Sequence, residues 1–569
     1  MFDLQLDSRA IYTILAATPI LWALRTYADY RALTQRDGVR LRPRQIIGPV
    51  TFLPAESDLA KAFNSSSRFA LGYFLFWLKK RDWYEKTGWD VCYAISLFPR
   101  VKMTLLVGDP HAFKHIASSR ATFPKPVEQY TLLTIFGHNI VASEGDLWKK
   151  YRKICAPAFS ERNNRLVWDS SIRIMSDFME IVWGQDEKQI VVEDLKVHCT
   201  EWTLRVIAAA AFGQEFSWKK PHEQQGSTDK QSTSDSINME DMEEIFETVS
   251  KDLVLKLILP EWFMNHSDYL TWGAFKRKLA RVKKAYSGLT DYLHGLIETR
   301  RKEGYDDSVE SRADLFSNLL KANEADEDEE FSSGISKPSK PAPPLNDAEL
   351  IGNIFVFLLA GHETSAHSIC FALYLLALYP EEQNKLYKSI EEVCPDGCFP
   401  KYEDVHRLTR TIAVLYETLR LFPPATMVPK KSGEDTSITT TNESGDTLIV
   451  PVPEGTQIVL HPPGVHYHPG YWQDPSTFNP DRFMPDSPWP RDAFVPFSAG
   501  SRSCIGRRFS EIESVALISS LISRYEISVK EEEEYRKETF EERKRRILRA
   551  TSGPTITPVA VPLVFTRRF

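Results

Sequence analysis

The sequence predicts a mainly helical fold with a minor β region, most of it in one large body. Three observations carry that reading. Asp347–Tyr379 is a stretch of about 33 residues, roughly 50 Å as a helix at 1.5 Å per residue, apolar on most sides. Further segments repeat apolar residues at helical spacing, while β-like runs are few and short. The composition is that of a globular chain: 42% hydrophobic and 26% charged over 569 residues. That balance argues against collagen-like, disordered and disulfide-dense scaffolds. A formal net charge of −7 gives no overall basic footprint for nucleic acid, so none is expected as a partner. A mean hydropathy of −0.31 excludes several membrane spans and leaves room for one.

Taken in order, residues 1–30 read as a membrane anchor. Ala10 to Leu24 carries no charged residue. That run is short of the roughly 20 residues a spanning helix needs. Arg9 and Arg25 can snorkel, and Thr26 and Tyr27 extend it. Arg25, Arg31, Arg36, Arg40, Arg42 and Arg44 follow, which by the positive-inside rule puts the bulk of the chain in the cytosol. The alternative is an amphiphilic helix lying on the membrane or packed on the body. Residues 31–54 read as a basic linker stiffened by Pro43, Pro49 and Pro54, and residues 55–569 as the folded domain.

Within the domain the spacing predicts helices at Gly145–Phe159, Asp169–Trp183, Val197–Phe212, Asp241–Leu259, Phe275–Glu303, Glu381–Val393, Arg410–Leu421 and Arg507–Ser523. The β-like runs are Met103–Val107, Thr447–Val450, Gln457–Leu460 and Val559–Phe565. Residues 219–240, rich in Ser and Thr, and 323–346, acidic and then proline-rich, lack the apolar residues for a core and read as mobile inserts. For the long helix, Asn346 is the expected N-cap with Glu349 three positions on, and Pro380 marks the end. Gly352, Asn353 and Gly361-His362-Glu363-Thr364 argue against a bilayer span, so it is expected to run through one large domain.

The seven cysteines are an odd number without framework spacing, which predicts reduced thiols. Cys394 and Cys398 are close in sequence, but no second pair accompanies them as structural zinc would require. Cys504 stands apart. It follows Phe497-Ser498-Ala499-Gly500-Ser501-Arg502-Ser503 and precedes Ile505-Gly506 and a helix. A thiol at a helix start is expected to have a depressed pKa. Backbone N–H groups there can bond a thiolate. Gly500 permits a turn, and Gly506 permits close approach of a flat partner. Read from residues alone, Cys504 is a nucleophile, an iron ligand or an inert buried thiol.

Residues 497–506 resemble the haem loop of the cytochrome P-450 family, the haem-thiolate monooxygenases, at all five constrained positions: Phe497, Gly500, Arg502, Cys504 and Gly506. The resemblance implies the P-450 fold, a haem whose iron is ligated by Cys504, and Arg502 paired with a haem propionate. Thiolate ligation favours O–O cleavage. Glu417-Thr418-Leu419-Arg420 matches the family's Glu-x-x-Arg, and Phe478-Asn479-Pro480-Asp481-Arg482-Phe483 resembles its Pro-Glu-Arg-Phe segment with Asp for Glu. Glu417, Arg420 and Arg482 are then expected to form a structural triad. Ala360-Gly361-His362-Glu363-Thr364 matches the oxygen-activation pattern. Thr364 is implied as the hydroxyl and Glu363 as the acid of a proton relay. Gly361 is implied as the gap that admits oxygen and water. The bland reading of Thr364 is a helix hydroxyl bonded to its own i−4 carbonyl. Trp148 and Arg152, one turn apart, match a pair that contacts haem propionates, and Lys430 is a weaker candidate for the same role.

The resemblance further implies electrons from NADPH through a separate NADPH–cytochrome P-450 reductase, docking on Lys149, Lys150, Lys153, Arg507 and Arg508. It implies a single-pass protein of the endoplasmic reticulum, its catalytic domain facing the cytosol. By family position the pocket draws on Phe123–His138, Leu259–Phe275, Phe357–Thr364, Pro424–Val428 and Thr555–Pro558. Those largely apolar segments suggest a lipophilic substrate, and the resemblance, which is to fungal secondary-metabolism members in overall style, implies a terpenoid-like or polyketide-like scaffold. Trp262, Phe263 and Trp272 are expected to dip into the membrane interface. The alternatives are a haem-thiolate isomerase or dehydratase that needs no external electrons, a non-catalytic haem protein and a cysteine hydrolase. The retained Glu363-Thr364 pair argues against the first.

Overall fold

The computed structural model describes residues 8–34, 46–48, 69–71, 75–96, 101–184, 187–214, scattered positions between 216 and 259, 273–303, 314–321, 323, and 344–569 except 443 and 553–554. The expected insert 219–240, nearly all of 323–346, most of the linker, and Trp262, Phe263 and Trp272 lie outside them. The chain gathers into two compact units. One comprises Met1–Lys125, Ala425–Ser476 and Pro490–Ser503; the other comprises Pro126–Pro424, Thr477–Trp489 and Cys504–Phe569.

The first unit holds a six-stranded mixed sheet, in the order Phe69–Leu71, Ile46–Gly48, Val91–Ser96, Lys102–Val107, Gln457–Leu460, Val428–Lys431. Val91–Ser96 and Lys102–Val107 pair antiparallel, with Val91 opposite Val107. Gln457–Leu460 lies parallel to the latter, with Leu105 opposite Ile458. Phe76, Trp83, Tyr84, Cys92, Ala94, Leu106 and Val459 form a buried cluster here. Behind it is a polar knot. Asp90 accepts from Arg81 at 2.6 Å and pairs with His468 Nε2 at 2.8 Å. His461 bridges the Tyr84 hydroxyl (3.0 Å) and the Phe76 carbonyl (2.7 Å).

Pro110–Ser118, which the spacing did not reveal as a helix, starts on an Asp-Pro signature. Asp109 caps the amides of His111 (2.7 Å) and Ala112 (3.0 Å), and Pro110 occupies the first turn. The amino-terminal helix runs from Ser8 to Thr34, so it continues past residue 30 into the stretch read as linker. Its 27 residues give about 40 Å. Ile20, Leu21, Trp22, Leu24, Tyr27 and Tyr30 are exposed on it.

The second unit is helical. Its axis is the Asp347–Leu378 helix, buried along most of its length. Among the described residues this helix is long and apolar enough to cross a membrane, yet protein surrounds it, as its internal polar residues required. The expected capping box is present: Asn346 accepts from the Glu349 amide at 2.9 Å, and Glu349 accepts from the Asn346 amide at 3.0 Å. The helices Leu195–Phe212, Thr409–Leu421 and Arg507–Arg524 pack on it. At Gly352 the carbonyl oxygens of Gly137 and His138 come within 2.6 Å of where a Cβ would sit. Asn353 fastens the same segment, accepting from Ile140 N at 2.9 Å and donating to Glu349 O at 2.8 Å. A three-stranded sheet, in the order Tyr525–Val529, Leu563–Arg567, Gln189–Val192, closes one side.

The expected triad is formed. Glu417 and Arg420, both fully buried, make a two-pronged pair at 2.7 and 2.9 Å. Glu417 also takes the Asn479 amide at 2.9 Å and faces Arg482 at 3.4 Å. Asp481, the departure from the family pattern, binds Arg410 at 2.5 Å instead.

Three expectations need correction. The helix placed at Asp169–Trp183 begins at Glu161, capped by Ser160, and ends as a π turn at Phe178–Val182. Its polar first turns hid the apolar spacing. Cys394 and Cys398 are joined as a disulfide, because positive φ at Asp396 and Gly397 folds the chain back between them. The other five cysteines are free. The strand expected at Val559–Phe565 is Leu563–Arg567. At the ends of the acidic insert, Asn323 accepts from the Leu345 amide at 2.5 Å and donates to its carbonyl at 3.4 Å.

Candidate active site

Of the five free cysteines, Cys92, Cys155, Cys199 and Cys370 are buried and Cys504 is exposed. Its neighbour Gly506 caps the Arg507–Arg524 helix, and the Gly506 amide hydrogen-bonds the sulfur. The expectation of a depressed thiol pKa is overturned. Dense surrounding protein pushes it up, and the Gly506 N–H with the cations Arg152 and Arg507 only partly offsets that. Arg507 itself leans on Glu511 at 2.8 Å and on the Tyr416 hydroxyl at 3.2 Å.

Trp148 and Arg152 stand one turn apart on the Gly145–Cys155 helix, Trp148 buried and Arg152 half-buried. Glu349 fixes this helix to the start of the central one, binding Lys150 Nζ at 2.7 Å and the Tyr151 hydroxyl at 2.8 Å. Lys150 is therefore spent inside the fold and drops out of the expected docking patch. Lys149, Lys153, Arg507 and Arg508 remain exposed.

On the central helix, Thr364 donates to the Ala360 carbonyl at 2.7 Å, the bland arrangement of a helix hydroxyl. The oxygen keeps its acceptor capacity. Gly361 does not face open space: a Cβ there would meet Ile207 Cδ1 at 2.4 Å, so its smallness lets the Leu195–Phe212 helix approach. Thr203 on that helix donates to the His362 carbonyl at 3.0 Å. Glu363 Oε1 lies 3.5 Å from the Thr555 hydroxyl, which lies 2.8 Å from His367 Nδ1.

Two residues of this region, His367 and Glu513, escaped sequence reading, and Thr555 was read only as part of a pocket segment. The meeting of His367 and Thr555 carries no local signal, since it depends on elements 188 positions apart. Glu513 sits wholly buried on the helix after Cys504. Burial pushes its carboxyl up to about 8, against the opposing effect of the Ser365 hydroxyl, so it is protonated at neutral pH.

In the first unit, Gly500–Arg502 forms a 3-10 turn, with Phe497 and Arg502 half-buried. Gly500 has φ +69°, and a Cβ would lie 2.6 Å from the Ala117 carbonyl oxygen, so the turn requires glycine. Lys430 donates to the Phe123 carbonyl at 3.2 Å.

A haem-thiolate centre needs one accessible sulfur with compensation for its negative charge. Cys504 meets both conditions through its exposure, the Gly506 N–H and the two nearby guanidinium groups.

Comparison with known proteins agrees with this chemistry. The cytochrome P450 family model matches residues 92–557. Cytochrome P450 monooxygenase 124 of Postia placenta is 40% identical over 96% of this chain and 98% of its own. The phomenoic acid biosynthesis cluster cytochrome P450 monooxygenase of Leptosphaeria maculans is 26% identical over 85% of this chain and 87% of its own. Mouse cytochrome P450 4X1 is 28% identical over 72% and 73%. On the family match and the near full-length 40% identity, the chain belongs to the cytochrome P450 family of haem-thiolate monooxygenases.

Proposed function

We propose that the protein inserts one oxygen atom from O2 into a lipophilic small molecule, with Cys504 as the residue that would hold the iron of its haem. The observation that carries this is the accessible Cys504 thiol at the start of the Arg507–Arg524 helix, bonded by the Gly506 N–H. When bound, the haem supplies the oxygen activation and one-electron chemistry. The chain supplies the rest. Cys504 would hold the haem iron as the thiolate, whose charge the Gly506 amide, Arg152 and Arg507 favour. Arg502, Trp148 and Arg152 would be the residues that hold its propionates, while Phe497, Gly500 and Gly506 shape the loop. Thr364 holds a proton at Oγ1, hydrogen-bonded to Ala360 O, and would be the hydroxyl that delivers it. Glu363 re-protonates it.

Electrons come from NADPH through a separate reductase. The exposed cations Lys149, Lys153, Arg507 and Arg508 support docking of an acidic partner. The Ser8–Thr34 helix, with apolar side chains turned outward, supports a single-pass anchor in the endoplasmic reticulum membrane. The phomenoic acid cluster relative supports a role in secondary metabolism.

The test is to reduce the purified holoenzyme, add carbon monoxide and record the haem spectrum. The red-shifted thiolate band is expected in the wild type and absent in Cys504→Ala. A band that survives the substitution sinks the assignment. Oxygen consumption with NADPH and reductase then separates a monooxygenase from an isomerase.

A further inference from the structure

Glu363 and His367 are four residues apart on the central helix, so their side chains leave the same face. Beside them stands Thr555, which directly precedes the strand Ile556–Pro558. That strand is tied down at its start, since the Ile556 amide donates to the Pro424 carbonyl at 3.2 Å. Thr555 Oγ1 is 2.8 Å from His367 Nδ1 and 3.5 Å from Glu363 Oε1. A hydroxyl has one proton and two acceptor sites. With the proton on His367 Nδ1, the imidazole donates to Thr555 and Thr555 donates to Glu363. The second contact is long, as catalytic hydrogen bonds often are before a reactant is bound. His367 is buried. Burial first, then the charge of Lys196 and the neighbouring His362, pushes its pKa down to about 3. It therefore stays neutral at physiological pH and acts as a hydrogen-bonding group.

We propose that His367 and Thr555 are positioning residues for Glu363: the imidazole aims the Thr555 hydroxyl, and that hydroxyl holds the Glu363 carboxyl in one orientation on the helix face. This deepens the monooxygenase reading and rests on it, because it assigns support to the acid of the proton relay. A carboxyl held this way keeps one preferred orientation, and loss of the Thr555 contact is expected to change it.

The test uses the full-chain holoenzyme and four variants, Thr555→Val, Thr555→Ser, His367→Leu and His367→Asn. Two readouts are taken. One is the infrared C–O stretch of the carbon monoxide complex, which senses the local field. The other is the solvent deuterium isotope effect on NADPH oxidation with reductase. The wild type, Thr555→Ser and His367→Asn, which keep a hydroxyl or an amide at the Nδ1 position, are expected to give one C–O band and one isotope effect. Thr555→Val and His367→Leu are expected to broaden or split the band, change the isotope effect and slow turnover about tenfold. Thr555→Val matching the wild type overturns the proposal, and so does Thr555→Ser matching Thr555→Val. Should the His367 variants not fold, the Thr555 pair still decides. Loss of the thiolate band in the wild type would instead overturn the parent reading, so the two failures are distinguishable.

Discussion

Replacing Glu417 by leucine should cost the protein more than replacing Arg420 by leucine. Both side chains are fully buried and meet at 2.7 and 2.9 Å. Breaking one side of such a pair costs about 3–5 kcal/mol, because the other charge stays in the interior. The surroundings separate the two cases. Without Arg420, Glu417 still has Arg482 at 3.4 Å and the Asn479 amide at 2.9 Å. Without Glu417, two guanidinium groups lose the acid they share. The first change belongs near about 3 kcal/mol and the second near about 5. A gap of about 2 kcal/mol is roughly a 30-fold difference in unfolded population. Either loss is a large part of the about 5–15 kcal/mol that holds an ordinary domain together. Urea unfolding followed by far-ultraviolet circular dichroism measures it, with the haem-to-protein ratio as a second reading. The reasoning fails if Arg420→Leu costs as much as Glu417→Leu, or if either costs under about 1 kcal/mol.

Two glycines would be crowded by a methyl group at similar distances, yet should respond unequally. Gly500→Ala meets backbone at Ala117 with φ at +69°, so it should lose about 2 kcal/mol or more and lower haem incorporation. Gly361→Ala meets only the end of the Ile207 side chain and gains helix propensity, so its unfolding midpoint should stay near that of the wild type. Buried His461 is held down to about 4, chiefly by burial, against 6.5 ordinarily. The unfolded chain therefore takes the proton first as pH falls. The contribution of this site is whole above pH about 6.5 and declines by about 3 kcal/mol down to about pH 4. Urea midpoints at pH 7.5 and 5 should differ less in His461→Gln than in the wild type; equal differences would refute the assignment.

What could be read from the sequence was what is written locally. The central helix was placed to within a residue because Asn346 and Glu349 spell a capping box and Pro380 ends the run. The Cys504 loop was legible because its constraints fall within ten consecutive residues. The Pro110–Ser118 helix was missed although Asp109-Pro110 announces it, since nine residues show too little periodicity. The packing of Gly361 on Ile207 and the pairing of Lys150 with Glu349 were not legible for another reason. Ile207 and Glu349, which decide them, lie far away in sequence and become neighbours only through packing. The Cys504 thiol followed the same logic: the helix start was visible, but the protein packed around the loop, which outweighs it, was not.

The Asn323–Leu345 clasp has a consequence for how this gene can vary. Asn323 and Leu345, on either side of this segment, are hydrogen-bonded to each other. Whatever path the intervening sequence takes, its span is fixed by that clasp. Doubling the length of a flexible loop adds only about 0.6 kcal/mol of closure cost. Codons between these positions can therefore be gained, lost or exchanged with little effect on the capped helix that follows. The same junction offers an engineer a place to graft an affinity tag or a fluorescent reporter into the middle of the chain.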